Sequence, residues 1–283
     1  MSSSNIQAIL QNHSKQLEAA LNIDSGSARI EVQCLLQAAL QVNRAWLLSH
    51  PEQSLDAGQH AQYSALLERR LAGEPVAYLL GEREFYGLPF RVSPATLIPR
   101  PETELLVELA LQRIPQQGAC RVLDLGTGSG AIALSIADAR PEAEVVATDA
   151  SMAALELAQF NADQLKLGNV RLLHSDWFGA LQGERFDIIV SNPPYIAAGD
   201  VHLAQGDVRF EPRSALVSGT DGLDDIRHIC SQARIHLRPK GWLMFEHGYD
   251  QAAQVRALLQ QSGFKEIFSA RDLSGIERVS GGT

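Results

Sequence analysis

The sequence predicts an α/β protein: a mostly parallel sheet covered by helices, preceded by a small helical bundle. Three observations on the 283 residues carry this prediction. From Arg121 onward, short apolar runs alternate with helix-spaced segments, the pattern of strands joined by crossover helices. A glycine-rich turn follows the first of those runs and opens a helix. Residues 1 to about 84, by contrast, read as helical throughout. The length is comfortable for two domains.

Composition narrows the class before any motif is read. Hydrophobic residues make up 45% and charged residues 20% of the chain, the balance of a soluble globular enzyme. The formal net charge is −9, and no Lys/Arg-rich run occurs. Both the first 84 residues and the remainder are acidic, so neither carries the footprint of a protein that holds duplex nucleic acid through its phosphates. The start, Met1-Ser2-Ser3-Ser4-Asn5, lacks a basic flank and an apolar run, which leads us to expect a cytoplasmic protein. No apolar stretch is long enough for a membrane span. Cys34, Cys120 and Cys230 are widely separated and form no metal spacing with the histidines. They are expected to be reduced thiols, and no metal site is expected.

The elements follow in order. Ile30, Val32, Leu35, Leu36 and Leu40 give an amphipathic helical pattern, continued after a break by Ala45 to Leu48. Asp56 is placed to cap a helix through Leu66, Leu67 and Leu71, which Gly73 and Pro75 end. The segment 85–96 contains Phe85-Tyr86-Gly87-Leu88-Pro89-Phe90-Arg91-Val92 and reads as a hairpin or extended linker. Pro101 suits a first helical position, and Glu102 and Glu104 complement the helix dipole. Leu105, Leu106, Leu109 and Ile114 then supply a buried face. Strands are predicted at 122–125, 145–148, 170–173, 186–190 and 242–246. Helices are predicted at 131–137, 153–161, 226–237 and 252–262. The domain expectation is 1–84 helical, 85–96 linking, and 97–283 α/β.

In open α/β sheets, ligands bind at the carboxyl ends of the strands, and three such ends are marked. The first is Asp124-Leu125-Gly126-Thr127-Gly128-Ser129-Gly130. Its glycines let the backbone turn tightly and approach a ligand, and the helix it opens favours a polar or anionic group. Gly126, Gly128 and Ala131 also fit a permissive dinucleotide fingerprint. The second is Asp149, about 20 residues further on, where a carboxylate can accept the hydroxyl protons of a ribose. Together they indicate an adenosine ligand, either S-adenosylmethionine or a nicotinamide dinucleotide. After the next strand, Trp177 is placed to cover an adenine ring and Asp176 to orient it, unless Trp177 simply fills the core.

The third end decides between the ligands. Asn192-Pro193-Pro194-Tyr195 directly follows the fourth strand. A planar NH₂ group conjugated to a carbonyl or ring is a poor nucleophile because its lone pair is delocalised. The Asn192 side-chain oxygen and the Pro193 carbonyl can each accept one of its hydrogens and aim the lone pair at a methyl carbon. Tyr195 offers a flat face for the planar group. A sulfonium methyl donor is already a good electrophile, so positioning matters more than a strong base.

On these residues the chain resembles the HemK/PrmC family, methyltransferases that modify the glutamine of the Gly-Gly-Gln motif in bacterial release factors. The resemblance runs over nearly the whole chain. It includes Gly73-Glu74-Pro75-Val76-Ala77-Tyr78, Leu97-Ile98-Pro99-Arg100-Pro101-Glu102-Thr103-Glu104, Gly206-Asp207-Val208-Arg209-Phe210-Glu211-Pro212 and Glu246-His247-Gly248. The Arg-Pro-Glu segment paired with Phe210-Glu211-Pro212 is the most specific part. The resemblance implies a class I Rossmann-like methyltransferase domain, with a seven-stranded sheet containing one antiparallel strand near its end. It implies S-adenosylmethionine as methyl donor and S-adenosylhomocysteine as product. The implied cofactor site is Asp124, Gly126, Thr127, Gly128, Ser129, Gly130, Asp149, Asp176, Trp177 and Asn192. Glutamine would be held by Asn192, Pro193, Pro194 and Tyr195, and the helical domain would dock the release factor. A monomer is expected. The final Ser280-Gly281-Gly282-Thr283 is less strand-like than the family pattern and leaves the last edge strand open.

Three other readings compete. A nucleic-acid amino-methyltransferase would use the same tetrapeptide on a flipped-out adenine or guanine, but the acidic charge and the lack of a target-recognition insert oppose it. A nicotinamide-dependent oxidoreductase fits the glycines and leaves Asn192 to Tyr195 unexplained. A non-catalytic binding module would have no need of intact motifs.

Overall fold

The computed structural model describes residues 5–283. Contacts divide the chain into two units, 5–81 with Ala204–Phe210, and Glu82–Leu203 with Glu211–Thr283.

The first unit is built from α1 (Ile6–Leu21), α2 (Ser25–Leu40), α3 (Arg44–Ser49), α4 (Ala57–Leu71) and α5 (Val76–Leu80). Its core gathers Ile6, Leu17, Val32, Leu35, Leu36, Leu47, Tyr63 and Leu67. Short polar side chains satisfy the orphan N–H groups that start the first four helices: Asn5, Asp24, Asn43 and Asp56 each accept from a backbone amide. Asp56 does so within a full capping box with Gln59. Ile30 departs from expectation. It is 56% exposed, because the buried stripe of α2 runs through Ala28, Val32, Leu35, Leu36 and Ala39 and leaves Ile30 on the other side.

The return of Ala204–Phe210 to this unit breaks the block expected from 97 to 283. Its anchor is Arg70, whose side chain is only 4% exposed. The guanidinium donates to both carboxylate oxygens of Glu31, to the carbonyls of Gly73 and Glu74, and to Asp207 at 2.9 Å. A buried arginine is tolerated when its charge and donors are paired in this way.

The second unit opens with an antiparallel hairpin, β1 (Glu82–Phe85) and β2 (Leu88–Arg91). A single 3₁₀ turn, Pro101–Thr103, leads into α6 (Glu104–Leu111). The alternating region follows: β3 (Arg121–Leu125), α7 (Ala131–Ala139), β4 (Glu144–Asp149), α8 (Met152–Leu165), β5 (Val170–His174) and β6 (Phe186–Ser191). It continues with α9 (Asp224–His236), β7 (Leu237–Glu246), α10 (Ala252–Gln261), β8 (Phe268–Arg271) and β9 (Glu277–Gly282). The sheet has seven strands in the order β5-β4-β3-β6-β7-β9-β8. β3 to β7 are mutually parallel, and only β9 runs against its neighbours.

Strand periodicity explains the layers. Val122, Val145, Ala147, Ile188 and Val190 point to the face covered by α6 and α7, while Leu123, Val146 and Ile189 point to the face covered by α9 and α10. Both faces are buried, so the strands read as continuous apolar runs rather than alternating ones. β7 starts five residues earlier than its apolar run suggests. Leu237 pairs with Phe186 ahead of a register shift, and regular pairing resumes at Trp242.

The last strand forms despite its composition, and it lies inside the sheet rather than at the edge. β9 is wedged between β7 and β8. A Cβ on Gly281 would run into the carbonyl of Leu243 and come within 2.8 Å of Met244 Cγ. The poor strand former is therefore the residue that lets the backbones approach.

Asn161, buried on α8, ties three segments together. Its oxygen accepts from Arg91 N at 2.8 Å, and its nitrogen donates to Arg91 O and to Ser129 O in the glycine loop. Asn161→Ala should cost roughly 2–4 kcal/mol by stranding these buried groups. A urea denaturation midpoint checks this, and an unchanged midpoint would show that the tie is dispensable.

Candidate active site

Because β3, β4, β5, β6 and β7 are parallel and in register, their carboxyl ends lie along one edge of the sheet. The glycine loop, Asp149, Ser175–Trp177, Asn192 and Glu246 lie at those five ends in turn, Asp149 and Glu246 as the last strand residues and the others just beyond. A cavity of about 450 Å³ opens there, a volume in the range of small-molecule sites. Among the predicted residues, Gly126, Thr127, Gly128, Ser129, Asp149, Asp176, Trp177, Asn192 and Pro194 line it. Asp124, Gly130, Pro193 and Tyr195 do not.

The loop has the conformation its glycines allow. Gly126, Gly128 and Gly130 have φ of 69°, 57° and 85°, in the left-handed region that side chains disfavour. Gly128 N donates to Asp149 Oδ2 at 2.9 Å, and Ser151 N donates to Oδ1 at 2.8 Å. These bonds hold the Asp149 carboxylate still and leave lone pairs on both oxygens for further donors. Asp124 lies behind the loop, fully buried, accepting from the Thr127 hydroxyl at 2.6 Å. Burial pushes its carboxyl up to about 7, against the hydrogen bonds from Thr127 and the Ala133 backbone. Asp124 shapes the loop from below rather than facing the cavity.

Trp177 is positioned between core and cavity. It packs against the core and also lines the cavity, its ring 3.6 Å from where a Gly126 Cβ would stand. Its φ of 47° is uncommon for a bulky residue, and Ser175 Oγ, donating to Trp177 O at 2.8 Å, helps to hold it. Asp176 is exposed at the rim.

Asn192 is the centre of the far wall. Its Nδ2 donates to Thr103 Oγ1 at 3.3 Å, while its Oδ1 is buried without a hydrogen-bond partner. Thr103 Oγ1 donates in turn to Glu246 Oε2 at 2.6 Å, and Tyr195 OH donates to Glu246 Oε1 at 3.0 Å. Glu246 is fully buried. Burial pushes its carboxyl up to about 7; the two hydroxyls and Arg278 act downward and the charge of Glu102 upward. Burial and the adjacent Glu246 charge likewise raise Tyr195 well above the usual phenol range.

The network adds a role for Tyr195 that the motif did not suggest: partly buried against the core, it donates its hydroxyl to the Glu246 carboxylate. A buried carboxylate needs donors, and the phenol supplies one. Pro193 is buried, so only its main-chain carbonyl is available for a role in the site.

Glu246, Thr103 and the Arg100–Glu211 pair are the site residues that motif reading left without roles. Glu211, its side chain enclosed, accepts from Ile98 N at 2.9 Å and from the Arg100 guanidinium. It thereby fastens the Leu97–Glu104 segment, with Arg100 and Thr103 on the cavity wall. The signal for Glu246 was present: it is the last residue of a parallel strand, the position that Asp149 occupies on β4.

A glycine loop, a fixed carboxylate and an Asn-Pro-Pro-Tyr turn on successive ends of this strand order define a class I methyltransferase. Comparison with known proteins then gives the family. Residues 102–210 match the model of the methyltransferase small domain, and residues 8–81 that of the PrmC N-terminal domain. The chain is 52% identical to a release factor glutamine methyltransferase of Salmonella typhimurium, covering 92% of this chain and 93% of the relative. It is 54% identical to one of Bordetella pertussis, covering 92% and 96%. Among solved structures, a 16S rRNA methyltransferase of T. thermophilus in complex with AdoMet and guanosine is similar, with a TM-score of 0.53 and 26% identity over 71% of this chain and 49% of that one. The chain belongs to the release factor glutamine methyltransferase family. No helix among the described residues is long and apolar enough to cross a membrane.

The raised Glu246 carboxyl gives a pH test. Its pKa in the fold lies above the ordinary 4.5, so stability from this group is complete below about 4.5 and is lost as pH rises through about 7. Full ionisation corresponds to a cost of roughly 3 kcal/mol. The Tm of Glu246→Gln relative to the unsubstituted protein should therefore rise by several degrees between about pH 5 and about pH 8. An offset that is the same at both pH values would show that Glu246 titrates normally.

Proposed function

We propose that this chain transfers one methyl group from S-adenosylmethionine to the side-chain amide nitrogen of the glutamine in the Gly-Gly-Gln loop of a peptide chain release factor. The observation that carries the reading is Asn192 Oδ1, a buried acceptor at the cavity wall that lacks a donor. Such a group costs about 1–3 kcal/mol until an N–H satisfies it. A primary amide brings two. Asn192 Oδ1 takes one, and the Pro193 main-chain carbonyl is assigned the other. With both hydrogens held in place, the nitrogen lone pair is turned towards the methyl group, and entropy lost in orientation is met by binding.

When bound, S-adenosylmethionine supplies an electrophilic methyl on a sulfonium and leaves as S-adenosylhomocysteine. The chain's own residues fit that ligand. Asp149, already oriented by Gly128 N and Ser151 N, has lone pairs free for the ribose hydroxyls. Trp177 gives an apolar plane beside the loop for the adenine, with Asp176 at the rim. Thr127, Ser129 and the loop backbone face the remainder. As the nitrogen gains the methyl carbon it releases one proton to solvent, so the chain needs no strong base. Residues 1–84 are assigned the docking of the factor, and the enzyme is assigned to the cytoplasm as a monomer. Relatives named for this substrate, alignable over more than nine-tenths of both chains, support the choice of glutamine over a base.

Incubation with methyl-labelled S-adenosylmethionine should label a release factor and leave its Gly-Gly-Ala variant, tRNA, rRNA and DNA unlabelled. Label on nucleic acid alone would overturn the substrate. Asn192→Ala should lower kcat by about 100-fold or more while S-adenosylmethionine still binds. Asp149→Ala should instead weaken S-adenosylmethionine binding by roughly 10- to 100-fold in calorimetry, the loss expected for charge-assisted hydrogen bonds. An unchanged Kd would remove Asp149 from that role.

A further inference from the structure

We propose that Thr103 and Glu246 are positioning residues for the transfer: the buried Glu246 carboxylate accepts the hydrogen bond of the Thr103 hydroxyl and so fixes which end of the Asn192 amide faces the substrate. The inference rests on the reading of Asn192 as the acceptor of the glutamine N–H.

Hydrogen-bond polarity sets the orientation of the amide. An asparagine amide carries a donor end and an acceptor end of nearly the same shape, and packing alone discriminates poorly between the two orientations. Only one orientation suits a primary amide substrate, since an NH₂ group turned towards an NH₂ group gives no bond. Thr103 Oγ1 lies between Asn192 Nδ2 at 3.3 Å and Glu246 Oε2 at 2.6 Å. A hydroxyl has one proton. In its ionised form Glu246 can only accept, so the Thr103 hydroxyl then donates to it and meets Asn192 with a lone pair. Asn192 must then present Nδ2 to Thr103 and leave Oδ1 free at the cavity wall, as found. The second Glu246 oxygen is occupied by Tyr195 OH at 3.0 Å, so the carboxylate does not draw on Asn192 itself. Glu102 and Arg278 are the charged groups whose fields reach Glu246, with opposite effects. Thr103 and Glu246 are 3% and 0% exposed, so water does not compete for the relay. The three residues come from the turn before α6, the end of β6 and the end of β7. The relay gives the segment Arg100–Glu104 a task in the reaction.

The test compares Thr103→Val, which keeps the shape and removes the hydroxyl, with Thr103→Ser, which keeps the hydroxyl. With a release factor as substrate, Thr103→Val should lose roughly 10- to 100-fold in kcat while its Kd for S-adenosylmethionine stays within about three-fold. Thr103→Ser should recover to within about three-fold of the unsubstituted enzyme. Glu246→Leu, which removes the acceptor of the same hydroxyl, should lose a similar factor and serves if Thr103→Val does not fold. Loss in Thr103→Ser equal to that in Thr103→Val would mean that the site needs only the threonine methyl, and would overturn the relay. Near-normal kcat in Thr103→Val or in Glu246→Leu would overturn it as well. If the unsubstituted enzyme labels no release factor, the glutamine reading fails and the relay falls with it. Labelling that survives removal of the hydroxyl sinks the relay alone.

Discussion

Everything at the site depends on the in-register parallel pairing of β3, β4, β6 and β7. A parallel ladder places every carboxyl end on one edge, so residues far apart in sequence become neighbours without any side chain directing them there. Leu125 opposes Thr148 and Ser191, and Ser191 opposes Phe245. The loop residues that follow are therefore held at strand spacing, about 5 Å apart per step. Ser191 Oγ donates to Leu125 O at 2.7 Å and locks the two central ends together. A slip of one residue in β6 would turn Asn192 to the other face and exchange its core residues with the opposite layer, which the two apolar clusters forbid.

That scaffold also bears a cost. Asp124 and Glu246 are fully buried carboxyls, each pushed up to about 7. Neither contributes to a core as an apolar residue of the same size would, and both sit directly behind cavity-lining loops. Each accepts from hydroxyl donors rather than from a close cation. Donors of that kind orient without neutralising. Asp124 keeps the Thr127 hydroxyl turned inward and the loop backbone outward. Glu246 organises Thr103 and Tyr195.

The sequence made much of this legible, and the reasons for the remainder are physical. Alternating apolar runs and crossover helices report burial on both faces, so the sheet and the five strand ends could be read directly. So could the positions of Asp149 and Asn192, because each lies at the carboxyl end of a strand. The partner of the Tyr195 hydroxyl was not legible, because Glu246 lies on another strand some fifty residues away. Ile30 was misplaced because a helical stripe read by spacing tolerates a neighbour outside its arc. Gly281 and Gly282 looked like poor strand formers. Strand propensity describes side chains on a pleated surface, whereas their position is set by two backbones pressing from either side. The return of Ala204–Phe210 was hidden because side-chain bonds of Arg70 and Arg209 tie it and no periodic pattern does.

A glutamine amide and the amino group of adenine offer the same two hydrogens on the same planar nitrogen, so Asn192 and Pro193 by themselves cannot tell them apart. Discrimination must come from what lies behind the nitrogen: a short flexible side chain on a peptide loop in one case, a ring tied to a sugar and phosphates in the other. Beside Asn192, the Arg100–Glu211 pair fastens the Leu97–Glu104 segment, and Thr103 ties that segment to the Asn192 amide. Tyr195, partly buried against the core, commits its hydroxyl to Glu246, so the carboxylate that receives Thr103 also fixes the far end of the aromatic ring that follows the Asn-Pro-Pro turn.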